Sequence, residues 1–179
     1  MNIFMCSPDP KLCAQALDDK RLNKMTVETG QILSTTMHWY SDTHVLPPPY
    51  KRAYPNHPCC VWAKLPENYH WLCLYLKELG FEYKYRFGKD HATLQYIDAF
   101  KSIIPDIKND GPSNVTNPTC FAPGAPFSGS PEFKCQWTLN IKWTYDKHTP
   151  TWTKRNKPAW TTFERPLEAA HRHYNKLTK

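Results

Sequence analysis

Charged side chains are densest in the segment DDKRLNKMTVE at residues 18–28, where their spacing could support acid–base or covalent chemistry. On a helix, Lys24 and Glu28 form an i,i+4 pair, and Arg21 lies two turns from Glu28 on nearly the same line. A lysine beside another cation has a lowered pKa and can act as nucleophile or base. The candidate catalytic residues are therefore Lys20, Arg21, Asp19 and Glu28. The alternative is a surface ladder of ion pairs, which is common on helices.

A second feature is the uneven distribution of charge along the chain. The formal net charge is +7, and residues 131–179 hold ten Lys and Arg against four Asp and Glu. Such an excess at one end favours a polyanionic partner, and the aromatic rings interleaved with these cations could stack on unpaired bases. The candidate nucleic-acid contacts here are Trp152, Lys154, Arg155 and Lys157. The alternative is that the Trp residues anchor a loop on the core while the lysines are only solvated.

Further candidate phosphate contacts lie earlier in the chain. His57 follows Asn56 and stands directly before a predicted helix start, where it could bind an anion together with the helix N-terminus. A loop histidine is also commonly a structural hydrogen-bonding group. Arg86 and Lys89 occur in a run of cations and rings, YKYRFGK, and Lys24 completes the set.

Several classes of site lack support in the sequence. His171 and His173 diverge by ~200° on a helix, which makes them a poor metal pair, and we expect neither a metal site nor a cofactor. The seven cysteines include no CxxC pair and are interpreted as reduced, mostly buried thiols. With no apolar run typical of a signal peptide or membrane span, we expect a cytoplasmic protein.

Proline and glycine positions divide the chain into predicted helices and loops. The pattern predicts one domain, mainly α, with a helical core at 1–104, a Pro- and Gly-rich loop at 105–131 and a basic aromatic segment at 132–179. One helix is expected from Pro10 to about His38. Another is expected from Pro66 to a stop at Gly80, followed by a helix broken at Gly88. Later helices are expected over 131–145 and from Pro166 onwards, and residues 41–58 are predicted to be a Pro-rich loop.

Two stretches, ALDDKRLNKMTVETGQILS and NHPCCVWAKLPENYHWLCLYLKELGFEY, resemble the layout of the phage-type pyrimidine-dimer DNA glycosylase/lyases. The chain resembles more closely a group of phage proteins with a DK[HR] helix, an NHP turn before a Trp, a YRYGK-like segment and a late W…PxW. These motifs appear here as Asp19-Lys20-Arg21, Asn56-His57-Pro58 with Trp62, residues 85–89, and Trp152 followed by residues 158–160.

The resemblance implies a small, helical, DNA-binding enzyme. Members of the family use an N-terminal amine as nucleophile, together with a helix carboxylate and arginines around the DNA. The nucleophile of the family is a small residue that removal of Met1 exposes, whereas position 2 here is Asn2, whose size disfavours that removal. Arg21 aligns with the catalytic Glu of the family, while Lys20 and Lys24 align with its arginines. We therefore expect Lys20 to be the nucleophile and Asp19 or Glu28 to transfer the proton.

Two other functions remain open at this point. The same helical scaffold could bind nucleic acid or nucleotides without catalysis, in which case affinity would fall steeply with salt. It could also be an interaction protein that blocks a host factor. The expected partner is DNA, either single-stranded or a damaged duplex, and the oligomeric state is left undetermined.

Overall fold

Helices make up all the regular secondary structure of residues 2–40, 46–103, 115–118 and 128–162, which this computed structural model describes. The mainly α fold class is therefore confirmed. Within these residues, no helix is both long and apolar enough to cross a membrane. The helices are α1 (Pro10–Ala16), α2 (Asp19–Met37), α3 (Pro58–Trp62), α4 (Pro66–Phe87), a 3₁₀ turn (Ala92–Tyr96), α5 (Ile97–Lys101) and α6 (Pro131–Thr144).

The predicted helix starts are confirmed where a capping side chain precedes a proline. The carboxylate of Asp9 accepts a hydrogen bond from the Lys11 amide, 2.8 Å away, at the start of α1. A proline in the first helical turn is favourable because its missing N–H would have no helical partner there. The predicted break at Gly88 is also confirmed, since this residue ends α4 with φ of 71°, a conformation that glycine adopts without steric cost.

The single helix predicted from Pro10 to His38 is wrong, because the chain is extended at Leu17 and Asp18 between α1 and α2. The last carbonyl groups of α1 are bound by side chains instead of by further helical N–H groups. Arg86 donates to the carbonyls of Leu17 and Gln15, at 2.8 and 3.0 Å. The Trp152 indole donates to the carbonyl of Ala16 at 3.1 Å. These partners satisfy the orphan acceptors that every helix end leaves.

The predicted stop at Gly80 is also wrong, and α4 continues through it to Phe87. Gly80 is buried, and a side-chain carbon at this position would lie 2.5 Å from Cγ of Leu94. The absence of a side chain at Gly80 therefore allows the 3₁₀ turn to pack closely against α4.

The core forms where α4 packs against both α1 and α2. The N-terminal residues 3–6 run through this core and are buried, and α6 adds the fully buried Trp143. Trp143 stacks on Trp160 at a ring-centroid distance of 5.6 Å and meets Trp152 edge-on at 5.2 Å. The interpretation of these indoles as anchors on the core is thus confirmed for the described part of the C-terminal segment. The six described cysteines are buried thiols outside any disulfide, as predicted.

Some predictions fall outside the described residues. They concern most of the loop at 105–131, Cys120, the helix from Pro166 and the pair His171 and His173.

Candidate functional site

The ionic face of α2 forms one wall of a pocket of about 480 Å³. The N-terminal segment forms a second wall, and the last turn of α6 with the residues after it forms a third. The pocket is lined by Asn2, Phe4, Lys20, Arg21, Lys24, Met25, Glu28, Lys142, Tyr145 and Asp146.

Glu28 lies between the start of the chain and a lysine of its own helix. One carboxylate oxygen, Oε2, accepts a hydrogen bond from the backbone nitrogen of Asn2 at 3.1 Å. The other oxygen, Oε1, lies 3.6 Å from the ammonium group of Lys24. The i,i+4 pairing of Lys24 and Glu28 predicted from the sequence is thus confirmed, and the side chain of Glu28 is only 14% exposed. The carboxylate accepts this hydrogen bond from a peptide N–H, and it would be placed to accept a proton from the same nitrogen if that nitrogen were a free amine.

Asp146 connects the loop after α6 to the opposite wall of the pocket. It accepts hydrogen bonds from Lys20 Nζ at 2.7 Å and from Arg21 Nη2 at 3.1 Å. Burial by itself would raise the pKa of Asp146, but the hydrogen bond from Lys20 and the charges of Arg21 and Lys20 lower that pKa to about 2. The carboxylate is therefore charged at neutral pH and forms an ion pair with the ammonium group of Lys20.

Arg21 extends this network into the core. Its Nη1 donates to Asp18 Oδ1 at 3.0 Å, and the Trp143 indole donates to the same oxygen at 2.7 Å. Asp18 is 1% exposed, and a carboxylate buried to this extent needs such partners. The network fixes the guanidinium at the pocket wall.

Lys142 contributes a cation from α6. Burial and the neighbouring charges of Arg21 and Lys24 lower the pKa of Lys142, and Glu28 opposes this shift. The pocket lining thus contains the cations Lys20, Arg21, Lys24 and Lys142 and the carboxylates Glu28 and Asp146. This excess of cations suits a guest that carries phosphate groups.

Two of the predicted site residues lie outside this pocket, in a buried junction. Asp19 accepts hydrogen bonds from Thr151, from Thr153 and from Arg86, whose Nη1 is 3.0 Å away. Burial would raise the pKa of Asp19, but these hydrogen bonds lower it. The Arg86 side chain is fully buried and also binds Glu82 at 2.8 Å. Its guanidinium therefore joins α1, α2 and α4 instead of facing the pocket.

The predicted contacts of the C-terminal segment surround the same junction. Arg155 donates to both oxygens of Glu82, at 2.9 and 2.8 Å, and Lys154 Nζ donates to the carbonyl of Tyr85 at 3.0 Å. Trp152 is packed against Trp143, whereas Lys157 is exposed. These residues lie apart from the pocket lining.

The remaining predicted contacts are at helix ends. His57 caps α3, and its Nδ1 accepts from the Cys59 amide at 3.2 Å. Burial lowers the pKa of His57 while the charge of Glu28 opposes that shift. Asn56 and Lys89 are both exposed.

Among the four predicted catalytic residues, Lys20, Arg21 and Glu28 converge on one pocket together with Lys24, whereas Asp19 does not. Sequence reasoning missed Asp146, because its partners are more than a hundred residues away and no local motif marks it. It also set aside Asn2, which lines the pocket and contacts Glu28. Within the described residues, no group of three or more His, Cys, Asp and Glu side chains could hold a metal ion.

A family model described as pyrimidine dimer DNA glycosylase matches residues 1–96, more than half of the 179-residue chain. The chain belongs to this family. No curated protein and no solved structure matches it. Membership of the pyrimidine dimer DNA glycosylase family means that the protein is DNA-acting and glycosylase-like, as the resemblance predicted. The family match includes the N-terminal and α2 walls of the pocket, and the α6 wall lies beyond it.

Proposed function

We propose that the protein is a DNA glycosylase with an associated lyase activity, and that the pocket between the N-terminal segment, α2 and α6 is its active site. The nucleophile is the amine of Asn2, which removal of Met1 would expose. Glu28 is the carboxylate that accepts the proton of this amine. The observation that carries this proposal is the 3.1 Å contact between the Asn2 nitrogen and Glu28 Oε2. After removal of Met1, this nitrogen would be an amine beside a proton acceptor in a cationic pocket.

The pocket provides the parts that this chemistry needs. An amine is nucleophilic only when it is deprotonated, so a carboxylate within hydrogen-bond distance can accept its proton. The cations Lys20, Arg21, Lys24 and Lys142 lie around this pair and suit the phosphates on either side of a target nucleotide. Removing a nucleotide from the duplex stack is the usual way to expose its C1′ atom to an enzyme.

The proposed reaction has two parts. In the first, the amine attacks C1′ of the deoxyribose, and the C1′–N bond breaks with its electron pair leaving on the base, which takes up a proton. Opening of the sugar ring then gives an imine between the amine and C1′. In the second part, a proton leaves C2′ and the C3′–O bond breaks, which releases the 5′-phosphate end of the DNA. Water hydrolyses the imine and restores the amine.

Lys20 remains the alternative nucleophile predicted from the sequence. Lys20 lines the same pocket, but its Nζ is already held by Asp146 at 2.7 Å, and this contact would have to break before Lys20 could attack. Among the described residues, the carboxylate that contacts the Asn2 nitrogen is Glu28, which is the proposed proton acceptor.

Borohydride trapping on DNA with an abasic site tests the proposal. Reduction of the imine links protein and DNA permanently, and peptide mapping identifies the modified residue. We expect an adduct at Asn2, intact-mass evidence that Met1 has been removed, and no adduct for Glu28→Gln. Asp90→Asn is the matched control, because Asp90 is an exposed carboxylate on another surface.

The outcomes separate the alternatives. An adduct on Lys20 that disappears in Lys20→Arg would identify Lys20, the residue predicted from the sequence, as the nucleophile. A wild-type protein that binds DNA but forms no adduct and releases no base would refute the enzyme proposal and favour a non-catalytic binder.

The proposal extends to the setting of the reaction. We place the protein in a reducing cytoplasm, which the six buried cysteine thiols outside any disulfide support. The resemblance to phage proteins of the same layout supports a phage origin.

A further inference from the structure

Tyr145 is an aromatic residue at the edge of the pocket whose side chain is largely open to solvent. It follows α6 directly, lines the pocket and is 75% exposed. A large ring that remains exposed beside a cationic pocket forgoes the stabilisation that burial would give it. Its position thus points to a contact made only when a ligand is present.

Three indoles of this segment are packed together by the fold. Trp143 is fully buried, and Trp152 and Trp160 pack against it. Trp152 and Trp160 stay partly exposed, but neither of them lines this pocket. Of the aromatic residues in the described part of this segment, Tyr145 is therefore the one that lines the pocket.

The backbone that carries Tyr145 is held in place although its ring is exposed. Its N–H donates to the carbonyl of Ile141 at 3.2 Å and closes the last turn of α6. The next residue, Asp146, is bound by Lys20 and Arg21 from α2. A ring on a fixed backbone loses little conformational freedom when a ligand stacks on it.

We propose that Tyr145 is a stacking platform for an unpaired nucleobase, which it holds at the mouth of the pocket. This inference rests on the proposed function, since it supposes a nucleotide displaced from the duplex at this site. The cations Lys20 and Lys142 beside the ring would bind the phosphates of the displaced strand, and the ring would take the face of the base. Stacking of this kind tolerates every base, so it selects for an unpaired state and not for a sequence.

A comparison of two ligands and three variants tests the inference. The ligands are a duplex with one unpaired adenosine and the same duplex with a stable abasic analogue at that position, so they differ only in the base. The variants are Tyr145→Leu, Tyr145→Phe and, as matched control, Tyr54→Leu. Tyr54 is 76% exposed but does not line the pocket.

We expect Tyr145→Leu to weaken binding of the adenosine duplex by about 5- to 150-fold. Binding of the abasic duplex should change much less. Tyr145→Phe retains the ring and should bind both ligands like the wild type, as should Tyr54→Leu. Equal loss on both ligands, or no loss on either, would overturn the inference. If the wild type forms the covalent adduct on abasic DNA and Tyr145→Leu still prefers the adenosine duplex to the abasic duplex, this inference alone is refuted. If the wild type forms no adduct, the proposed enzyme activity is refuted.

Discussion

The replacement Asp146→Asn should destabilise the protein measurably and in a pH-dependent manner. The Asp146 carboxylate is 5% exposed and is bound by Lys20 and Arg21. Its pKa is lowered from 3.8 to about 2, a shift that corresponds to about 2 kcal/mol of folding free energy at neutral pH. Asparagine keeps the shape of the side chain but not its charge, so this contribution should be lost.

The sign of the pH dependence follows from the direction of the shift. Because folding lowers the pKa of Asp146, the stabilisation is complete above pH 3.8 and is lost as the pH falls towards 2. Urea unfolding of wild type and Asp146→Asn at pH 7, 5, 3 and 2.5 should give a difference in unfolding free energy of about 2 kcal/mol at the two upper values. The difference should shrink at the two lower values.

Asp90→Asn provides the matched control for this experiment. Asp90 also pairs with a lysine, Lys84, at 3.0 Å, but both side chains are more than half exposed. Exposed pairs contribute only ~0–1 kcal/mol, so this variant should resemble the wild type. A loss for Asp146→Asn that is the same at pH 7 and pH 2.5, or no larger than that for Asp90→Asn, would refute the assignment of the effect to the buried ion pair.

Three further predictions concern the fold and the binding surface. Arg86→Met should cost ~3–5 kcal/mol in a thermal or urea unfolding experiment, because it leaves the buried carboxylate of Glu82 with one cation fewer; a loss below 1 kcal/mol would contradict the junction described above. Gly80→Ala should cost ~1–3 kcal/mol by overpacking against Leu94, and the double variant with Leu94→Ala should recover part of that loss. Lys24→Gln should lower the slope of log affinity for duplex DNA against log salt by about 1 if Lys24 binds a phosphate, and an unchanged slope would remove Lys24 from the interface.

Local chemistry explains which parts of the fold could be predicted from the sequence. Asp9 with Pro10, Ser130 with Pro131, and Gly88 each satisfy a helix terminus by side-chain or backbone geometry within a few residues. The break after α1 has a different cause, since it depends on a guanidinium from α4 that lies about seventy residues further along the chain. Nothing in the local sequence specifies that contact, so a continuous helix was the natural prediction.

The same distinction applies to the pocket. Lys20, Lys24 and Glu28 come together because side chains four residues apart share one face of a helix. Asp19 was predicted with them, but adjacent side chains diverge by ~100° around the helix, and it turns to the junction with the C-terminal segment. The carboxylate that does bind Lys20 comes from Asp146, whose position depends on the packing of α6 and could not be read from a local pattern.

The extended link between α1 and α2 also restricts how the length of this chain can vary. Each residue of an α-helix turns the side chains by ~100° and advances them by ~1.5 Å. One residue inserted between Leu17 and Asp18 would leave α1 docked on α4 and would require α2 to start elsewhere, with Glu28 rotated away from Asn2 or the Asp18 contact to Trp143 broken. Insertions should therefore be accepted beside the exposed Leu46 and Pro47 in the connection before α3. They should be rejected at this two-residue link, because there an insertion rotates the side chains of α2 away from their partners.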